Sequence, residues 1–90
     1  MFSKRKKYQY MVLKVIDWGE EVNFEDIERW TGLYPTKINS ALSYLLHYDY
    51  IGKKKEEKTI YFQKKKGKQY LKFLEEKKNF KKCWIPPWKK

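Results

Sequence analysis

The chain is 90 residues long, with 22 Lys and Arg against 11 Asp and Glu and a formal net charge of +11. That length suits one domain with a modest core, and the charge exceeds what solubility requires, attracting polyanions, nucleic acid before an anionic membrane surface. Four Trp, eight Tyr and five Phe exclude a disordered basic tail, and the lone Cys83 excludes an intrachain disulfide framework or a cysteine-rich zinc site.

Residues 1–7 hold the run KRKK and almost no core pattern, so they read as a flexible basic arm. From Tyr8 onward, Met11, Val12, Val15 and Ile16 recur at helical spacing, and Asp17-Trp18-Gly19 ends that helix, with Trp18 closing one end of the core. In VNFEDIERW, Asn23 is a good N-cap. Asp26 follows three residues later, Val22 stands where a staple residue would, and Phe24, Ile27 and Trp30 supply the buried side. Thr31-Gly32 terminates this short helix.

Pro35 suits a first helical turn because it has no N–H to lose, and it opens a third helix that runs to about His47. Ile38, Ala41, Leu42 and Leu45 share one side of its wheel. Thr36, Ser40, Ser43 and His47 share the other, with Lys37, Asn39 and Tyr44 on the flanks. The period then changes. Tyr50-Ile51 and Ile60-Tyr61-Phe62 flank a polar turn at Lys55 to Lys58, the pattern of a hairpin. Gly67 marks the turn into a last helix striped by Tyr70, Leu71 and Leu74, with Phe73 beside them, and Pro86-Pro87 forbid regular helix through CWIPPW. The expected organisation is an arm at 1–7, a domain at 8–78 and a basic aromatic tail at 79–90.

Charge placement narrows the partner. Five acids lie between Glu20 and Glu28, whereas nine Lys lie between Lys53 and Lys72 against only Glu56 and Glu57. The tail from Lys77 to Lys90 adds six cations and no acid. No enzyme is expected: His47 is the sole histidine, no second acid-base or metal-ligating group is spaced to join it, and no Gly-rich phosphate loop is present. No cofactor or small-molecule substrate is therefore expected. No apolar run approaches membrane-spanning length and the opening residues lack a signal-type stretch. The chain is thus expected in the cytoplasm, without membrane insertion. For Cys83 both an intermolecular disulfide and an ordinary thiol stay open.

The order helix, short helix, Gly-containing turn, helix, basic hairpin and helix resembles the winged helix-turn-helix domains of bacterial and archaeal transcription regulators, a type also met in small proteins of archaeal viruses and plasmids. NFEDIERWTGLYPTKINSALSYLLHYDYIGKK carries the helix-turn-helix part of that likeness, and TIYFQKKKGKQYLKFL is similar to the second wing strand and following helix. The resemblance implies an α+β fold: a three-helix core, a two-stranded β-hairpin wing and a C-terminal helix. It also implies double-stranded DNA as the partner. By position it puts Thr36, Lys37, Asn39, Ser40 and Tyr44 near DNA, and Lys53, Lys54, Lys55 and Lys58 at the wing.

Ser43 and His47 lie on the same outward surface, and Lys4, Arg5, Lys6 and Lys7 of the arm join the wing on the backbone. An Arg found near Ser40 in many relatives is missing here, which favours duplex attachment over selective base reading. A homodimer is expected, with Tyr8, Met11 and Val15 of the first helix, Tyr70, Phe73 and Leu74 of the last, or Trp84 and Trp88 of the tail as contacts. Two alternatives stay open. The aromatic residues could stack single-stranded DNA or RNA bases, or the fold could serve as a protein-interaction module.

Overall fold

The computed structural model describes residues 4–82 and 84–89. Its elements are α1 (Lys4–Gly19), β1 (Glu21–Val22), α2 (Phe24–Thr31), α3 (Pro35–His47), β2 (Ile51–Lys55), β3 (Thr59–Gln63) and α4 (Lys65–Glu76), followed by single turns at Phe80–Lys82 and Pro87–Lys89. Helix α1 is central: α2, α3, α4 and the sheet all pack on it. That position explains why its buried side is broader than the stripe Met11, Val12, Val15 and Ile16, and takes in Gln9, Tyr10 and Leu13 as well. The expected flexible arm is corrected. Lys4 to Lys7 form the first turn of α1, a segment of good helix formers carried inward by the packing of the turn that follows. Residues 1–3 of that arm, and Cys83, lie outside the described residues.

Local chemistry sets the ends of α2. The Asn23 side chain accepts a 2.8 Å hydrogen bond from the Asp26 backbone N–H, and the Asp26 carboxylate accepts one of 3.2 Å from the Asn23 N–H. This reciprocal box satisfies two of the donors that a helix start leaves unpaired. At the other end Gly32 adopts φ 71°, and its N–H donates to the Glu28 carbonyl at 2.9 Å. A Cβ would strain that left-handed backbone, so glycine is the fitting residue. Pro35 opens α3 as expected, and the helix buries Ile38, Ala41, Leu42 and Leu45.

The sheet has three antiparallel strands in the order β1-β3-β2. The hairpin pairs Ile51 with Gln63 and Lys55 with Thr59, leaving 56–58 as its tip. The additional strand β1 is only two residues long and pairs Glu21 with Phe62 and Val22 with Tyr61. Val22 is therefore a buried strand residue as well as the residue before the Asn23 cap, and it shares the core with Ile27.

Gly67 does not turn the chain into α4, which starts two residues earlier at Lys65. The glycine is buried within the helix, and a Cβ there would collide with the Tyr50 carbonyl oxygen. Close backbone approach is what this glycine permits. Tyr50 O also accepts from the Lys64 N–H at 3.0 Å, so one carbonyl ties the start of β2 to the start of α4.

Three expected dimer contacts are corrected in the same way. Val15 and Leu74 are 0% exposed and Met11 is 5% exposed, because the central position of α1 consumes them in this chain's own core. The tail folds back as well. Phe80 is buried beside Tyr10 with ring centroids 5.8 Å apart, and Trp84 meets Tyr10 edge-on at 6.4 Å. Trp88 stacks on Trp18 at 4.4 Å and 12° and meets Trp30 edge-on at 5.9 Å. Trp88 thus clamps the end of α1 to α2, while Trp84 packs on Tyr10 in the middle of α1. Among the described residues, no helix is long and apolar enough to cross a membrane.

Candidate nucleic-acid interface

Helix α3 buries one face and presents the other. Thr36, Lys37, Asn39, Ser40, Ser43 and His47 are all exposed, with no carboxylate anywhere in the helix. Backbone N–H groups of Lys37 and Ile38 donate to the Tyr34 carbonyl at 3.0 and 3.1 Å, which squares off the first turn without any side-chain cap. Small polar side chains on a rigid, core-anchored helix form a slim edge that fits a major groove about 12 Å wide.

Tyr44 differs from its neighbours. It is half-buried in a ladder of rings, 4.7 Å from Tyr48, 6.4 Å from Tyr50 and 6.5 Å from Tyr70. Tyr50 and Tyr70 stack face to face at 4.2 Å and 2°. Burial, joined by neighbouring tyrosines, pushes both phenols above their ordinary value. Tyr70 is thereby tied into the protein. Phe73, 43% exposed, is the expected dimer contact on α4 that stays open.

The wing lysines separate into two kinds, those engaged by carboxylates and those left open. Lys54 forms a 2.8 Å ion pair with Glu21 across β3, and Lys58 forms one of 2.9 Å with Glu25 at the start of α2. These contacts hold the Lys54 ammonium above its ordinary value and the Glu25 carboxyl below its own, in each case chiefly through the hydrogen bond between the partners. Both pairs are solvent-exposed, so their value is in placing charge rather than in stability. Lys53 and Lys55 are exposed and have no carboxylate within ion-pair distance among the described residues. The acids around α2 thus neutralise one flank of the wing, a pairing between residues 33 apart that no local pattern announces.

A second flank escaped the sequence reading. An open groove of about 570 Å³ runs between α1 and α3, lined by Arg5, Tyr8 and Gln9 on one wall and by Lys37, Ser40 and Tyr44 on the other. No carboxylate lines it. The Lys37 ammonium lies 5.7 Å from the centre of the Tyr8 ring, a cation–π contact. Of the four cations in the first turn of α1, Lys4 and Arg5 are exposed, Lys6 and Lys7 are half-buried, and Arg5 reaches the groove. Tyr8 and Gln9 carry no sequence signal for this place because the packing angle of α1 on α3 decides it.

The helices α1 to α3, the β2-β3 wing and the added α4 together make a winged helix-turn-helix fold. Solved structures share it at low sequence identity. The chain superposes on a protein described as Sso10a-2, a DNA-binding protein from Sulfolobus solfataricus, with TM-score 0.76 and 16% identity, covering 91% of this chain and 84% of that one. It also superposes on F93 from STIV, described as a winged-helix DNA-binding protein, with TM-score 0.69 and 18% identity over 91% and 95%. BpsR of Bordetella bronchiseptica, a structure concerned with regulation of its DNA binding by 6-hydroxynicotinic acid, gives TM-score 0.72 and 10% identity over 84% of this chain. This chain spans 57% of the BpsR chain's length. No protein-family model and no curated protein sequence matches the chain.

Proposed function

We propose that this chain is a non-enzymatic double-stranded DNA-binding protein, a transcription regulator working as a homodimer with α3 in the major groove. The observation that carries the reading is the acid-free, exposed face of α3 on a core-buried helix, flanked by Lys53, Lys55 and Arg5, which have no carboxylate within ion-pair distance among the described residues. Thr36, Asn39 and Ser43 face the base edges, and Lys37, Ser40 and His47 stand where phosphates pass. Likeness of fold to proteins described as DNA-binding supports the same reading. Phe73 on α4 is the contact for a second copy, and a twofold dimer would present two α3 helices to successive grooves about 34 Å apart.

The test is a titration against duplex DNA, single-stranded DNA and RNA at two salt concentrations, with oligomeric state measured alongside. Six to ten phosphate contacts imply that duplex affinity falls by about 10³ to 10⁵ between 50 and 200 mM salt. Asn39→Ala should cost specific duplex binding more than nonspecific binding, whereas Lys37→Ala should weaken both alike. Tighter binding to RNA or single strands than to duplex overturns the proposal in favour of base stacking on exposed rings such as Tyr48, 48% exposed.

A further inference from the structure

In a helix-turn-helix complex the first helix of the motif ordinarily lies across the DNA backbone. Here that helix, α2, carries Glu25, Asp26 and Glu28, and Glu25 already holds the wing-tip Lys58. That flank of α3 is close to charge balance and gains little by approaching a polyanion. The α1 flank is its opposite. Arg5 and Lys37 stand on the two walls of one acid-free groove, with the Ser40 hydroxyl beside them.

Gln9 makes this groove more than a cationic surface. Its side chain is polar and only 6% exposed, yet its amide nitrogen, unlike that of Gln63, is not sealed from solvent. The carbonyl end accepts a 3.1 Å hydrogen bond from the Tyr70 hydroxyl, and Tyr70 is itself locked by stacking on Tyr50. The amide nitrogen has no hydrogen-bond partner among the described residues, and Gln9 lines the groove. A fixed carbonyl leaves two N–H donors for whatever enters. Guanidinium, ammonium, amide and hydroxyl donors, with no carboxylate to oppose them, make up the chemistry of an oxyanion seat.

From this we infer that the α1–α3 groove is the main DNA-backbone seat of the protein: a phosphate of the duplex docks among Arg5, Gln9, Lys37 and Ser40, so that the duplex leans toward α1 and away from α2. The inference rests on the duplex-binding reading above and adds which flank of α3 carries the backbone. Lys37, held near the Tyr8 ring, then contacts phosphate from the groove wall and leaves Asn39 and Ser43 to the bases.

Salt-dependence measurements on the full chain with a duplex test it. Arg5→Gln changes an exposed side chain and leaves the core untouched. It should lower affinity about five- to tenfold near 0.1 M salt and reduce the slope of log affinity against log salt by about 1. Lys54→Gln and Lys58→Gln, whose ammonium groups already engage carboxylates, should each cost less than Arg5→Gln. Gln9→Glu keeps the acceptor for Tyr70 while placing a negative charge in the seat, and should weaken binding more than Arg5→Gln does. The side-chain amide resonances of Gln9 in the unaltered protein should shift when duplex is added, a readout that requires no substitution. Steep salt-dependent duplex binding that Arg5→Gln leaves unchanged, with unmoved Gln9 resonances, overturns the groove assignment alone. Failure of the unaltered protein to bind duplex overturns the functional reading with it.

Discussion

Replacing Trp88 with Ala tests whether the tail is part of the domain. The ring stacks on Trp18 at 4.4 Å, meets Trp30 edge-on at 5.9 Å and meets Trp84 edge-on at 6.1 Å. A tryptophan of this kind, half-buried, withdraws about 100 Å² of apolar surface from water, worth about 2.5 kcal/mol at 25 cal/mol per Å². Favourable ring geometry adds about 1 kcal/mol, and the freedom regained by the released tail returns about 1 to 2 kcal/mol. The net loss is about 2 kcal/mol, which lowers the midpoint of thermal unfolding by roughly 8 to 16 °C in a domain of this size. Thermal denaturation followed by circular dichroism measures it, and the near-ultraviolet spectrum should lose the contribution of the stacked Trp18–Trp88 pair. An unchanged midpoint and spectrum would mean that the tail is not docked and that Trp18 and Trp30 pack without it.

Three further outcomes follow from the packing. Gly67→Ala should destabilise the fold by about 1 to 3 kcal/mol in chemical denaturation, because the added methyl meets the Tyr50 carbonyl oxygen, which also holds the Lys64 N–H. Asn23→Ala should cost about 1 kcal/mol in the same measurement by removing one half of the capping box, with Asn23→Asp losing far less. Stability should also fall at both pH extremes.

Burial, the largest single influence on Glu75, pushes its carboxyl up, but hydrogen bonds from Lys14 and Tyr10 and the Lys14 charge outweigh it and leave the group below its ordinary 4.5. A carboxyl depressed in the folded state stabilises above about pH 4.5 and loses that contribution as pH falls through its folded value. Glu75→Gln should therefore flatten the acid limb of a stability profile. Tyr50 and Tyr70 are raised above their ordinary 10, so their neutral rings support the fold below pH 10. That support is lost as pH rises further and the unfolded chain ionises first. Tyr70→Phe should reduce the alkaline loss.

Elements whose determinants lie within one helical turn were legible in the sequence. The capping box Asn23-Asp26, the left-handed Gly32, Pro35 at the start of α3 and the buried row Ile38, Ala41, Leu42, Leu45, whose successive members are no more than four apart, each rest on local spacing, and the structure contains them all. The outward face of α3 follows as the complement of that row. Strand β1 was invisible because two residues carry no period, and only pairing with β3 makes Glu21 and Val22 a strand. Gly67 looked like punctuation, since a chain-local reading has no knowledge of the Tyr50 carbonyl packed against it.

By itself, then, the sequence determined a basic chain, its main helices, the hairpin and the one polar face free of acid. Tertiary structure decided how the charge is spent. Lys54 and Lys58 reach acids 33 residues away, while Arg5 and Gln9 come to lie beside Lys37. Val15 and Leu74 vanish into the core, and the tail returns onto Trp18. Helical periodicity sorts residues into faces, but the angle at which one helix crosses another determines which faces meet, and that angle is settled only when all the elements pack together.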